Sequence, residues 1–186
     1  IEVRTANNAQ SRTCEQDEEC YLSGNSSTAS TTVYRYDSTG LLQRRSGSGP
    51  SYTWTTETTS FNGVIHVDGT IRDFTGPERP SGHTTATRTP PALASFAAMT
   101  LSSNSHIRIT GDLKYESPPC TGTPTRSGNT VTAATCNNLD AKNVLGVYTQ
   151  NGDIFIGNAT GNNDLNAPDN VTIHGVLMSG TGKVTT

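Results

Sequence analysis

The stretch SHIRITGDL (residues 105–113) contains the pattern Ile-x-Ile-x-Gly, and close variants occur in VIHVDGTI (64–71) and NVTIHGVL (170–177). A shortened copy reads IFIG at residues 154–157. Because residues two apart in a strand share a face, each apolar pair is expected to point inward and the glycine to allow a turn. The predicted inward residues are Ile65, Val67, Ile107, Ile109, Ile154, Ile156, Val171 and Ile173, with His66, Arg108, Phe155 and Thr172 outward.

The copies are unevenly spaced, with their first apolar residues 42, 47 and 17 positions apart. A propeller needs repeats of fixed length, whereas a β-solenoid tolerates insertions at its corners. Residues 97–103 (AAMTLSS) and 143–150 (NVLGVYTQ) can supply a strand before an Ile-x-Ile pair. We therefore predict an all-β, right-handed, mostly parallel β-solenoid at residues 60–186, with extruded loops at 76–91, 116–136 and 158–170.

The segment before residue 60 differs in character. Residues 1–30 are polar and irregular and are expected to form a connector, whereas residues 31–50 predict a hairpin that turns at Asp37–Gly40. Residues 51–61 alternate aromatic and polar side chains, which indicates another strand. We expect residues 1–59 and 60–186 to form one compact domain, and the unfinished corner MSGTGKVTT leads us to expect further chain beyond Thr186.

Composition limits the classes of function. The 186 residues include 16% charged side chains and carry a net charge of −3, so a broad basic face for nucleic acid is not expected. The sequence contains no apolar run long enough to span a membrane. Abundant Thr, Val and Ile favour a folded β protein over a disordered one.

The four cysteines form two close couples, Cys14 with Cys20 and Cys120 with Cys136. They lack the CxxC spacing of a thiolate metal site, so we predict two local disulfides out of three possible connectivities. Each would close a loop that has few apolar residues to hold it. Disulfides imply an extracellular location.

Little in the sequence indicates catalysis, and we predict that the protein is not an enzyme and needs no cofactor or metal. The four histidines (His66, His83, His106, His174) are interpreted as solvated polar residues, and GNNDLNAPDN (161–170) lacks the order of a calcium loop. The alternative is a polysaccharide-active β-helix enzyme, for which Asp68, Asp112 and Arg108 would have to gather on one face. Acidic residues beside strand corners are more often turn formers.

Four phrases carry a family resemblance: FNGVIHVDGTIRDFTGP, HIRITGDLKYESPPC, NVLGVYTQNGDIFIGN and APDNVTIHGVLMSGTGKV. In this order they resemble the β-solenoid domain of pilin-like surface proteins of the Thermus and Deinococcus group, which includes competence-associated pseudopilins. The likeness spans roughly residues 60–184, and this sequence lacks the apolar N-terminal pilin helix of that family. It implies an extracellular, pilus-associated domain whose partners are other pilin subunits and, in natural competence, incoming DNA.

The resemblance transfers no binding residues, so the DNA-contacting candidates come from the sequence itself. Arginines on flexible loops can reach phosphates although the net charge is negative. The candidates are Arg44, Arg45, Arg72, Arg79, Arg88 and Arg126. Binding through them would be weak, independent of DNA sequence and salt-dependent. The alternative of a different class is a structural surface-layer or adhesin module.

Overall fold

A computed structural model describes residues 2–4, 11–14, 20–23, 31–48, 51–77, 79–80, 82, 85–122, 124–157 and 171–185. In these ranges the protein is all-β, with eighteen strands, one 3-10 helix and no α-helix. The strands are β1 Glu2–Arg4, β2 Ser11–Cys14, β3 Cys20–Ser23, β4 Thr31–Tyr36, β5 Leu42–Ser48, β6 Ser51–Thr58, β7 Val64–Val67, β8 Ile71–Thr75, β9 Ala98–Ser103, β10 Ile107–Ile109, β11 Cys120–Thr121, β12 Thr125–Ser127, β13 Thr130–Thr132, β14 Thr135–Cys136, β15 Val144–Thr149, β16 Ile154–Ile156, β17 Val176–Ser179 and β18 Val184–Thr185; the 3-10 helix is Ala86–Arg88.

The N-terminal strands are antiparallel. β4, β5 and β6 form a meander, and β1 lies between β4 and β8, so this part shares a sheet with the strands that follow. The predicted turn between β4 and β5 is confirmed. Gly40 adopts a φ of 88°, and Asp37 Oδ1 accepts the backbone N–H of Thr39 at 2.9 Å, which explains the choice of Asp and Gly at these positions.

The strands β7 to β10 and β15 to β18 form one separate parallel sheet and the parallel part of the sheet just described. One sheet has the order β17-β15-β9-β7, and the other ends in the order β18-β16-β10-β8. Each successive pair (β7–β8, β9–β10, β15–β16, β17–β18) therefore contributes one strand to each sheet. We name these pairs units one to four. The strands predicted at 97–103 and 143–150 are confirmed as β9 and β15.

The corner inside each of the first three units makes the same backbone contact with the next unit. The N–H of Ile71 donates to the carbonyl of His106 at 2.8 Å, that of Ile107 to Asp153 at 3.0 Å, and that of Ile154 to Lys183 at 2.8 Å. Outside the two sheets, isolated parallel bridges join Leu93 to Tyr115 and Leu113 to Ile173.

The core lies between the sheets and is built from rows of apolar side chains. In one row Ile65, Leu101, Val147 and Leu177 are in register, and in the other sheet Ile71, Ile107 and Ile154 are in register. All except Leu177 are buried, and Leu177 packs against the core. Because the strands are short, burial of these apolar side chains is the main contribution to the stability of the stack.

A second row at the corner consists of hydroxyl groups. Ser103, Thr149 and Ser179 lie in register with one another, two residues after the apolar row. Ser103 Oγ donates to the carbonyl of Gly69, Thr149 Oγ1 to that of Ser105, and Ser179 Oγ to that of Gly152 at 2.7 Å. Each hydroxyl therefore ties its unit to the corner of the preceding one. We name this row the hydroxyl ladder.

The repeat alignment drawn from the sequence is confirmed for two copies, since Ile107 and Ile109 pair in register with Ile154 and Ile156, and is wrong for the other two. Ile65 and Val67 pair in register with Leu101 and Ser103, whereas Ile107 is in register with Ile71 and Ile154 in the other sheet. Ile173 lies on a third side, where it bridges Leu113. A short Ile-x-Ile-x-Gly phrase specifies alternation but not the side on which the strand lies, so similar phrases occupy different sides.

The inward prediction holds for part of the set. Ile65, Ile107, Ile109 and Ile154 are buried. Val67, Ile156, Val171 and Ile173 are only partly buried. Of the residues predicted to point outward, His66 is exposed, and Arg108, Phe155 and Thr172 are half-buried.

Candidate functional site

The most prominent exposed feature is a double hairpin at residues 120–136, which we name the arm. β11 pairs antiparallel with β14 at its base, and β12 pairs antiparallel with β13 at its tip. The predicted disulfide between Cys120 and Cys136 is confirmed and closes the base. In the described part of the arm nearly every side chain is exposed, and Val131 near the tip is 66% exposed.

Three contacts hold together the segments on either side of the arm, at its base. Asn138 donates its backbone N–H to the carbonyl of Pro119 at 3.1 Å and its Nδ2 to that of Pro118 at 3.2 Å. The side-chain amide of buried Asn143 faces the backbone N–H and carbonyl of Ser117. The arm is therefore anchored at its base while its tip extends into solvent.

The second predicted disulfide involves side chains outside the described part of the structure. The backbone places Cys14 opposite Cys20 at the end of the β2–β3 pair, as a local disulfide would require. Their bond stays a prediction.

Three of the candidate arginines are accessible. Arg126 lies at the tip of the arm, where its Nε donates to the carbonyl of Gly128 at 2.9 Å, and Arg88 is exposed in the 3-10 helix. Arg44 Nε forms an ion pair with Glu57 Oε1 at 2.7 Å on the β5–β6 surface. The hydrogen bond and charge of Glu57 raise the pKa of Arg44.

The other three candidates are placed differently. Arg45 is buried on β5, the middle strand of the β4–β6 meander, and the side chain of Arg79 is buried in an ion pair with Asp112. Arg72 lies in β8, and its side chain is outside the described part. The structure therefore does not bring the six arginines together, and burial of Arg45 and Arg79 leaves them little surface to offer a phosphate.

Asp112 is the most heavily bonded side chain among the residues that the sequence singled out. Its carboxylate accepts Arg79 Nε and Nη2 at 2.8 and 3.0 Å, Thr89 Oγ1 at 3.0 Å and the backbone N–H of Thr172 at 2.8 Å. Burial alone would raise the pKa of Asp112, but these hydrogen bonds outweigh it and hold the pKa below its ordinary value. Asp112 is therefore an ionised structural anchor.

Two further residues anchor the same region and had no signal in the sequence. Lys114 Nζ donates to the carbonyls of Ala86 and Thr89 at 2.7 and 2.9 Å, which holds the 3-10 segment against the body. Tyr115 Oη accepts the backbone N–H of Leu145 at 2.6 Å. These contacts join residues 25 to 30 positions apart, so no local pattern could reveal them.

The histidines act as hydrogen-bond partners between units. His106 Nδ1 accepts the N–H of Asp153, and His174 Nδ1 accepts the N–H of Tyr115, both at 2.9 Å. His66 Nδ1 lies 2.9 Å from Ser102 Oγ. His83 and the loop at 161–170 lie outside the described residues. Within the described ranges, no group of three or more His, Cys, Asp or Glu residues could hold a metal ion.

Among the described residues, the three that the polysaccharide-active alternative would gather on one face lie in different places. Asp68 lies in the corner between β7 and β8 and accepts a hydrogen bond from Asn104 Nδ2. Asp112 follows β10 in a different corner, where its carboxylate already accepts four hydrogen bonds. Arg108 lies on β10 itself. These three residues therefore do not form one acid–base cluster.

Comparison with known proteins gave no match to a family model, to a curated protein or to a solved structure. No helix in the described residues has the length and apolar character needed to cross a membrane. The Cys120–Cys136 disulfide is the feature that bears on location, and it indicates an oxidising environment.

Proposed function

We propose that this chain is a non-catalytic extracellular β-solenoid module that displays the arm on a rigid scaffold. A solenoid is supported because the same contacts join each unit to the next. The backbone hydrogen bond at Ile71 is repeated at Ile107 and Ile154, and the hydroxyl ladder makes a second repeated contact at the same corners. Such stacking makes each unit depend mainly on its neighbours and gives a stiff body from a small core. We take its hand to be right-handed, as in most parallel crossovers.

The observation that carries the display function is the contrast between the arm and the body. The body is joined by buried rows and an internal ion pair, whereas the arm is a disulfide-closed hairpin with exposed side chains on both faces. A two-stranded hairpin is marginally stable in water on its own, so the disulfide and the anchored base compensate for its lack of a core. Exposed loops on a rigid scaffold are typical of binding surfaces.

The resemblance to pilin-like surface proteins makes a pilus the proposed setting, with other pilin subunits as partners and DNA as the proposed ligand. Arg126 at the tip of the arm and Arg88 in the 3-10 helix are two exposed cations that could meet a phosphate backbone. With so few contacts, binding would be weak and independent of sequence.

A fluorescence polarisation titration of the full chain with labelled duplex DNA, at low and at moderate salt, tests DNA binding. We expect weak binding that declines steeply with salt, and a further loss in Arg126→Gln. The matched control is Lys142→Gln, which removes one exposed positive charge near the base of the arm and should have a smaller effect.

The outcomes separate the candidate functions. No binding at low salt would remove DNA reception from this domain and leave the display scaffold, as in an adhesin or surface-layer module. Equal losses in Arg126→Gln and Lys142→Gln would show that the arm has no special role in DNA binding. Hydrolysis or cleavage of a polysaccharide by the purified chain would contradict the non-catalytic proposal.

A further inference from the structure

Arg108 is a half-buried arginine on β10 for which the described residues supply no partner. Its Nε is buried and makes no hydrogen bond, and no ion pair among the described residues includes Arg108. A buried donor without an acceptor costs free energy, and buried charges in proteins are usually paired. Such a group needs an acceptor that a bound ligand can supply.

The side chain of Arg108 lies on the outer face of the sheet that contains β8, β10 and β16. Ile107 and Ile109, on either side of Arg108, are fully buried in the core, so the alternation of the strand places Arg108 on the opposite face. His106, two residues earlier, falls on the same face, and its side chain is 47% exposed. Solvent therefore reaches the neighbourhood of Arg108.

An aromatic ring, and not a carboxylate, stands beside Arg108 on the next strand. Phe155 of β16 is in register with Arg108, on a strand about 4.8 Å away. The pairing of β10 with β8 shifts register at this point, so no residue of β8 stands directly opposite Arg108. An apolar neighbour lowers the local dielectric constant, and a contact between a guanidinium and an anion is stronger where water is partly excluded.

His106 offers a second donor on the same face. Its Nδ1 accepts the backbone N–H of Asp153 at 2.9 Å, so the neutral ring carries its proton on Nε2. The carboxylate of Asp153 lies on the Nδ1 side of the ring, with Oδ2 3.9 Å from Nδ1, and its Oδ1 accepts the backbone N–H of Lys183 at 2.7 Å. The His106 ring also lies 5.6 Å from the Phe155 ring, centroid to centroid.

We propose that Arg108 is the cation of an oxyanion-binding site on this outer face, with His106 as a second donor and Phe155 as an apolar wall. The ligand group is a carboxylate or a phosphate, because both present two oxygens that match the Nε–Nη edge of a guanidinium. A compact ligand fits this site, because one arginine on a chain of net charge −3 gives no track for a polyanion. The site is separate from the arm and does not depend on the proposed DNA binding.

Nuclear magnetic resonance of the full chain, isotope-labelled in nitrogen, tests the site through the Nε–H signal of Arg108. Arg108→Lys identifies this signal by its loss. Sodium phosphate and sodium acetate are titrated separately, and sodium chloride at the same ionic strength is the reference. We expect at least one oxyanion to shift the Nε–H signal in a saturable manner, while chloride does not. The anion that acts, phosphate or acetate, identifies the ligand group.

Thermal unfolding of variants gives an independent readout of the same site. The anion that binds should raise the unfolding temperature of the unmodified chain by about 2–4 °C at roughly five times its Kd. Arg108→Met keeps the apolar stem but has no donor, so this rise should disappear. The matched control is Arg44→Met, which should keep the rise because Arg44 is already paired with Glu57.

Two results would overturn the proposal. The first is an Arg108 Nε–H signal that neither oxyanion shifts more than chloride does. The second is the same thermal response to the anion in Arg108→Met as in Arg44→Met, which would place the anion elsewhere on the chain. Circular dichroism verifies folding, and Arg108→Lys, which lacks the planar fork of donors, replaces Arg108→Met if the latter unfolds.

Discussion

Arg79 and Asp112 form a buried, two-point ion pair between residues 33 positions apart in the chain. Their side chains are only 8% and 1% exposed. Because Thr89 and Thr172 donate to the same carboxylate, this pair joins the loop after β8, the corner after β10 and the segment before β17. An arginine that the sequence offered as a DNA contact is therefore part of the internal structure.

Asp112→Asn should destabilise the protein strongly. The substitution removes the charge that balances buried Arg79, and loss of one partner of a buried pair costs about 3–5 kcal/mol. Urea denaturation followed by circular dichroism measures the change in the free energy of unfolding. The control is Glu57→Gln, which breaks the exposed pair with Arg44 and should change the free energy of unfolding far less. Equal effects would contradict the anchoring role of Asp112.

Stability should decline in mild acid through His174. Burial, and secondarily the charge of Lys114, lower the pKa of His174, so its neutral form is favoured in the folded state. The unfolded chain takes up this proton near pH 6.5. The stabilising contribution is therefore complete above about pH 6.5 and is lost progressively as the pH falls from there to the lowered folded value.

Urea midpoints measured across this pH range test the role of His174. His174→Gln does not titrate but can still accept the N–H of Tyr115, so its stability should depend less on pH than that of the unmodified chain. His66→Gln is the control, because His66 is exposed and should leave the decline unchanged. An unaltered pH profile in His174→Gln would assign the decline to other groups.

Thr149→Val tests the hydroxyl ladder. Valine keeps the shape of threonine but leaves the carbonyl of Ser105 without its side-chain donor at a fully buried position. The expected loss in the free energy of unfolding is about 1–3 kcal/mol. Thr132→Val, on the exposed arm, makes the same chemical change and should be nearly neutral. If both variants unfold at the same urea concentration, the ladder does not stabilise the stack.

Removal of the arm disulfide should loosen the arm more than the body. In Cys120→Ser/Cys136→Ser we expect faster tryptic cleavage after Arg126, because the hairpin can open locally without unfolding the core. Cleavage after Arg88 serves as the internal control, since Lys114 holds that segment against the body. Mass spectrometry of timed digests measures both rates. Parallel acceleration at the two sites would indicate that the disulfide stabilises the whole domain.

Several features could be predicted because their causes are local. Alternation of apolar and polar residues indicates the strands at 97–103 and 143–150, and the Asp and Gly of the first turn favour a hairpin there. The spacing of Cys120 and Cys136 favours a local disulfide, which the arm contains. In each case the physical reason acts within a few residues or one short loop.

The sequence by itself therefore determined the all-β class, several strands and the closed arm. Tertiary structure alone decided which strands are neighbours, since Ile65 and Ile107 have similar surroundings in sequence but lie in different sheets. It also decided that Arg79 is buried while Arg126 is exposed. Arg79 is buried because it pairs with Asp112, far along the chain, whereas Arg126 bonds only a nearby carbonyl at the tip of the arm. Register and burial are set by packing between units, and a short pattern constrains only its own strand.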